Sequence, residues 1–307
     1  MAATGRAVVV VDTDNHRVMR WAPGATEGEV VAGGNGEGDG LHQFSVPCDV
    51  AVDTDGAVVV VDCGNGRVMR WARGANEGTV VAGGQGDGPG LHQLNCPCGV
   101  ALGPDDAIYI GDCSNHRVVC WVRGAKEGKL VAGGSRGSGL DQLSSPNGVA
   151  LGRDGSVFVA DIENNRIMQW APGSTVGVVA AGGKGPGQGA GQLDGPCGVR
   201  VTVAGDVVVS ERGSQVRNYR VVQLRPGAAD CTVVAGGNDH GSGLEQLELP
   251  WGVVEAPGGG FFVVDSGNHR VVHWGKGEVA GVVVAGGNGR GAGLNQMRSP
   301  CGVALAP

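Results

Sequence analysis

Apolar residues in this chain fall in short runs, and polar turns separate them at nearly regular intervals. The runs at 8–11, 58–61 and 261–264 are Val- and Phe-rich, and each ends at an Asp. β-Branched runs of four to six residues, bounded by Gly, Pro, Asp and Asn, predict short strands, and the lack of alternation predicts burial on both faces. No stretch shows a helical period. The pattern Pro-X-Gly-Val, with Asp49 for Gly in its first copy, recurs with prolines at Pro47, Pro97, Pro146, Pro196, Pro250 and Pro300, at spacings of 50, 49, 50, 54 and 50. A fixed period of this length along the whole chain predicts a repeat architecture.

The unit beginning at Pro47 divides into strands at 49–53, 57–62, 67–71 and 79–82, with Thr54-Asp55-Gly56 as a hairpin turn. Four antiparallel strands in each of six units predict an all-β, six-bladed propeller formed by 1–307 as a single domain. A blade apolar on both faces needs a neighbour on each side, so the ring must close. The chain enters at Ala7 on what is the second strand of a unit. The missing first strand is at 301–306, so the two ends should combine in one composite blade.

The stretches DTDNHRVMRW at 12–21, DCSNHRVVCW at 112–121 and DSGNHRVVHW at 265–274 resemble the signature of NHL-repeat proteins. The resemblance implies a six-bladed propeller. It also implies an interaction module, often the recognising part of a larger protein such as a ubiquitin ligase, so a protein or peptide partner is the first expectation. Two alternatives come with it. Some NHL domains bind RNA through a basic face. The peptidyl-hydroxyglycine lyases are similar propellers with a channel zinc held by His, two of which follow the motif proline. Here those places hold Cys48, Cys98, Asn147, Cys197, Trp251 and Cys301.

Composition narrows the choice. A net charge of −7 argues against a general nucleic-acid binder. No apolar run approaches the roughly 18 residues of a membrane span, and the N-terminus does not read as a signal peptide. Nine Cys cannot all pair within one chain, which favours a reducing, intracellular setting and a soluble protein.

Residues present in every unit serve what every unit shares. Arg17, Arg67, Arg117, Arg166, Arg220 and Arg270 should bridge the Asp that ends each second strand. Gln43, Gln93 and their equivalents should tie a loop to the neighbouring blade, and the Trp ending most third strands should pack between blades. Function is then sought where units differ. The fifth reads VVVSERGSQVRNYRVVQL, with Glu211 for Asp, Leu224 for Trp and extra residues before Asn218. Its turn should protrude, offering Glu211, Arg212, Gln215 and Arg217 to a partner. After the motif proline, Cys48, Cys98, Cys197 and Cys301 should begin innermost strands at one mouth of the central channel. Cys301, Cys48 and Cys98 are consecutive around the ring, so their thiols are expected to converge, with Cys96 as an extra donor. Zinc is the metal such a set would take, and no other cofactor is expected. Asn147 and Trp251, at the same position, are the expected ligand or partner contacts of that mouth. No catalytic set can be assigned.

Overall fold

A computed structural model describes residues 5–306 apart from 190, 227 and 229. Its strands form six four-stranded antiparallel sheets arranged in a ring. The first blade is composite. Its inner strand is Pro300–Leu305, followed outward by Val8–Asp12, Arg17–Trp21 and Glu29–Gly33. Val8 pairs with Leu305 and Val10 with Val303, so the two chain ends close the ring as expected. The second blade runs Pro47–Val52, Val58–Asp62, Arg67–Trp71 and Thr79–Gly83. Its inner strand starts two residues earlier than the sequence pattern suggests, because Pro47 itself pairs with Asp62. Proline is tolerated there as the first residue of a strand that edges the channel.

Each blade is buried on both sides, as the unbroken apolar runs require. Val9, Val11 and Val18 of the first blade pack on Val58, Val60, Met69 and Trp71 of the second. On the opposite face, Val8, Val10, Met19 and Trp21 meet Phe262 and Val264 of the sixth. Trp21, Trp71, Trp121, Trp170 and Trp274 are at most 2% exposed, so they fill seams and are not stacking platforms for ligands. A glycine faces each indole. A Cβ on Gly28, Gly78, Gly128, Gly177 or Gly281 would sit 3.0 Å or less from a ring atom.

The recurring Arg is the tie between blades. Arg67 Nε donates to Asp62 at 2.7 Å, while its Nη1 and Nη2 donate to the carbonyls of Asp39, Gly40 and Gln43 in the glycine-rich segment before that blade. Asp62 is fully buried and also accepts from the Ser45 N–H and the Asn65 amide. The same pair recurs as Asp12–Arg17, Asp112–Arg117, Asp161–Arg166, Glu211–Arg220 and Asp265–Arg270. Burial raises the pKa of each of these carboxyls, and the Arg and amide donors offset part of that. The glutamines depart from expectation. Gln43 donates to Asn35 O and Glu37 O, and Gln296 to Asn288 O, so they brace their own glycine-rich segment and leave the neighbouring blade to Arg.

Candidate functional site

The inner strands surround a channel cavity of about 380 Å³, lined mainly by Val and Ala side chains. Glycine lets these strands approach: a Cβ at Gly99, Gly148, Gly198 or Gly252 would collide with the backbone of the next inner strand. Asp49 replaces this glycine in the second blade. In the fifth, Arg200 takes the place held by Ala51, Ala101, Ala150 and Ala304 elsewhere. Blades two and five are opposite in a six-membered ring, and these two departures meet across the channel. Arg200 Nη2 lies 3.8 Å from Asp49 Oδ1, while Arg200 Nη1 donates to the carbonyls of Val149 and Val199. Burial raises the Asp49 pKa, which Arg200 and the N–H groups of Val100 and Val50 pull back. Nothing in the one-dimensional pattern paired these two residues, although each is a charge in an otherwise apolar inner strand.

The face carrying the turns between second and third strands holds a cluster of thiols. The Sγ atoms of Cys63, Cys96 and Cys98 lie within 4.8 Å of one another. Cys63 and Cys96 are in direct contact at 3.2 Å. Three local devices place them. Cys63 opens the short 3-10 turn Cys63–Asn65 after the second strand. Cys96 precedes Pro97 in left-handed backbone with φ 51°, as do Val46, Ser145 and Ser299 at the same place in other blades. Cys98 is the second residue of the inner strand Pro97–Leu102. In three other units a His covers the pre-proline residue: the Val46, Ser145 and Ser299 N–H groups donate to His16, His116 and His269 Nδ1. Gly66 stands there in the second blade, so no imidazole lies over Cys96.

Cys48 and Cys113 flank this trio. Cys48 faces Cys63 and Cys98, and Cys113 faces Cys98. The neighbouring thiols of Cys48, Cys96 and Cys98 hold the Cys63 thiol well below its usual range. Those three are pushed up, Cys96 to about 11. One thiolate stabilised by neighbouring thiols is the arrangement that a soft cation replaces on binding.

Of the expected thiol set, Cys98 belongs to the trio, as does the extra donor Cys96, and Cys48 adjoins it. Cys301 and Cys197 do not. Cys301 Sγ bonds Ser299 O at 3.6 Å beside Thr13, and burial pushes its thiol up to about 12. Cys197 is fully buried between Ser210 and the Pro250 carbonyl, 3.2 Å away. Cys48 Sγ and Cys98 Sγ make the equivalent bonds to Val46 O and Cys96 O, so what sets Cys301 apart is that Thr13, and not a thiol, stands beside it. Cys63 was missed from the sequence, although Thr13, Ile162 and Ser266 at its equivalents mark it, together with Cys113, as a departure.

The fifth blade's turn differs from its siblings, with one correction. Glu211 is not a surface contact. It is fully buried, bonds Arg220 at 2.6 Å, and simply replaces Asp with a longer arm. Residues 214–217, including Gln215 and Arg217, are exposed. Their backbone is held from below by buried Asp194, whose carboxylate accepts from Ser214 Oγ and from the N–H groups of Gln215 and Val216. Arg212 lies over the Trp251 ring at 5.4 Å, so Trp251 belongs to this corner. Asn147 is only 5% exposed and packs between inner strands, which removes it as a ligand contact.

Comparison with known proteins supports the architecture. The NHL repeat model matches residues 94–121, 143–170 and 247–274. No curated protein sequence matches the chain. A chain from the crystal structure of a nidogen/laminin complex superposes with a TM-score of 0.69 at 16% identity, covering 99% of each chain. A Bacteroides thetaiotaomicron protein of unknown function gives 0.64 at 16% identity, over 97% of this chain and 70% of that one. A catalytically inactive virginiamycin B lyase from Staphylococcus aureus, crystallised with quinupristin, gives 0.55 at 12% identity, over 99% and 93%. At these identities the likeness is one of fold. Among the described residues no helix is long and apolar enough to cross a membrane.

Proposed function

On the premise that this chain is a six-bladed NHL-repeat propeller, we propose that it is a non-catalytic recognition scaffold for a protein or peptide partner, read chiefly by the turn of the fifth blade. The observation that carries this reading is the turn at 214–217. Its side chains are exposed, while its backbone is pre-organised by Asp194 on a rigid sheet. Pre-organised loops on rigid scaffolds reduce the entropy lost on binding. Val216, 44% exposed, offers an apolar anchor, and Arg217 adds a charge. A neighbour from a protein–protein complex is in keeping with this reading.

The lyase alternative has less support. The Arg200–Asp49 pair crosses the channel where a substrate would enter, and its wall is mainly Val and Ala. The test is quantitative capture from native extract with the parent chain, V216D/R217E, and a control substitution in the corresponding turn of another blade, S114A. A protein set retained by the parent and S114A but lost with V216D/R217E supports the proposal. Capture unchanged by V216D/R217E, or an enriched pool of RNA and not protein, sinks it.

A further inference from the structure

The thiol cluster lies apart from the turn of the fifth blade, and nothing in the scaffold's architecture requires it. In the other blades two of these three positions vary: Thr13, Cys113, Ile162 and Ser266 stand at the turn, and Val46, Ser145, Gly195, Leu249 and Ser299 before the proline. The fold therefore tolerates many side chains there. Cysteine stands at both places only at the seam between blades two and three, where they meet Cys98. The Cys after the proline recurs in four blades and by itself carries no information about a site.

We propose that Cys63, Cys96 and Cys98 bind a zinc-class d10 cation as thiolates, leaving the fourth position to a water or an added ligand. The geometry suits the ion. Zn–S bonds of about 2.3 Å in tetrahedral array place sulfurs about 3.8 Å apart. The trio already falls within 4.8 Å, with its closest pair at 3.2 Å, so shifts of a few tenths of an ångström to about one ångström complete it. Access is open, because Cys96 is exposed and Cys98 half-buried. A set made entirely of thiols selects soft or borderline cations over Mg²⁺ or Ca²⁺, which require oxygen. Binding displaces the thiol protons. It joins Cys63 of the second blade to Cys96 and Cys98, which lead into the third, so it bridges the seam.

The test uses the whole chain, reduced and freed of metal, with Cd²⁺ as spectroscopic probe and Zn²⁺ as competitor. We expect one equivalent of Cd²⁺ to produce thiolate-to-metal charge-transfer absorption that Zn²⁺ displaces. C63S, C96S and C98S should each weaken uptake by about 100-fold or more, and C48S by less, while C197S and C301S leave it unchanged. Zn²⁺ should also slow alkylation of Cys96 in the unsubstituted chain, followed by mass spectrometry. That measurement needs no variant, so a substitution that prevents folding does not leave the proposal open. Absence of the absorption, uptake that survives loss of the trio, equal sensitivity to C197S, or alkylation of Cys96 at the same rate with and without Zn²⁺ would each overturn it.

Discussion

Removing Arg67 tests whether the recurring Arg is what fastens one blade to the next. Its guanidinium neutralises Asp62 and donates to three carbonyls of the preceding glycine-rich segment. In R67A, Asp62 keeps only the Ser45 N–H and the Asn65 amide, and it has no exposure to water. Leaving a buried charge unpaired costs about 3–5 kcal/mol. The freed carbonyls add less, because their segment is exposed and water replaces the donor. Arg220 is an internal comparison. It bonds Glu211, but among the described residues its Nη2 has no partner and its Nη1 reaches only Gln188 O at 3.4 Å. Glu211 retains the Asp194 N–H and the Asn218 amide, and burial raises its pKa to about 7, so it becomes neutral at little cost. R220A should therefore cost about 2 kcal/mol less than R67A.

Urea unfolding followed by tryptophan fluorescence measures both, with m-values expected to stay constant. D62N/R67A should recover at least about 1 kcal/mol relative to R67A, because the unpaired charge is gone while the amide oxygen still accepts from Ser45. A loss below about 1 kcal/mol in R67A, or an equal loss in R220A, would refute the argument that charge burial and the carbonyl ties set the strength of each seam.

Two further outcomes are expected. Glu211 has a folded-state pKa raised from 4.5 to about 7, mainly by burial, so the folded chain holds this proton more tightly than the unfolded chain. Its stabilising contribution is complete below about pH 4.5 and is lost as pH rises through about 7; the difference in stability between E211Q and the parent should vary across that window, and parallel profiles would contradict the assignment. Leu224 faces Cys231 where the other blades pair Trp with Gly, so L224W alone should cost about 1–3 kcal/mol by overpacking, and L224W/C231G should regain most of it. An L224W chain as stable as the parent would mean that the indole turns into the open cleft beside Leu224.

The sequence made the ring legible because its period, its Asp–Arg pairs and its split blade are all one-dimensional. Each inner strand pairs only with the strand next in its own unit, or with the other chain end at Val8–Asp12. Most of the candidate site was not legible in this way. Cys98 was singled out, but its partner Cys63 lies on the neighbouring blade, and the approach depends on the left-handed backbone at Cys96 and on the missing side chain of Gly66. Cys301 and Cys48 share one position in the repeat and bond equivalent carbonyls, yet Thr13 stands beside the first and Cys63 beside the second. Equal position in a repeat fixes equal distance from the axis and says little about contact across it. Glu211 was misplaced for a related reason. The extra residues were read as beginning at the sequence change, whereas the longer carboxylate keeps the buried pairing and the turn leaves the sheet after Arg212.

The departures that matter come as spatial pairs, and that is a stronger sign than any one of them. Leu224 lacks an indole where Cys231 occupies the space glycine leaves elsewhere. Asp49 introduces a side chain where inner strands require glycine, and Arg200 on the opposite blade supplies its counter-charge. Asp194 is buried and fully engaged only because the longer turn above presents two N–H groups and a hydroxyl to it. Each member alone would be destabilising: a clash, a buried unpaired carboxylate, or a turn without backbone partners. Random drift within a repeat would leave such members single. The thiols of Cys63, Cys96 and Cys98 follow the same rule, with one difference. Their contact meets no packing or charge requirement of the scaffold, and the proposed thiophilic cation is the species whose chemistry fits three converging sulfurs.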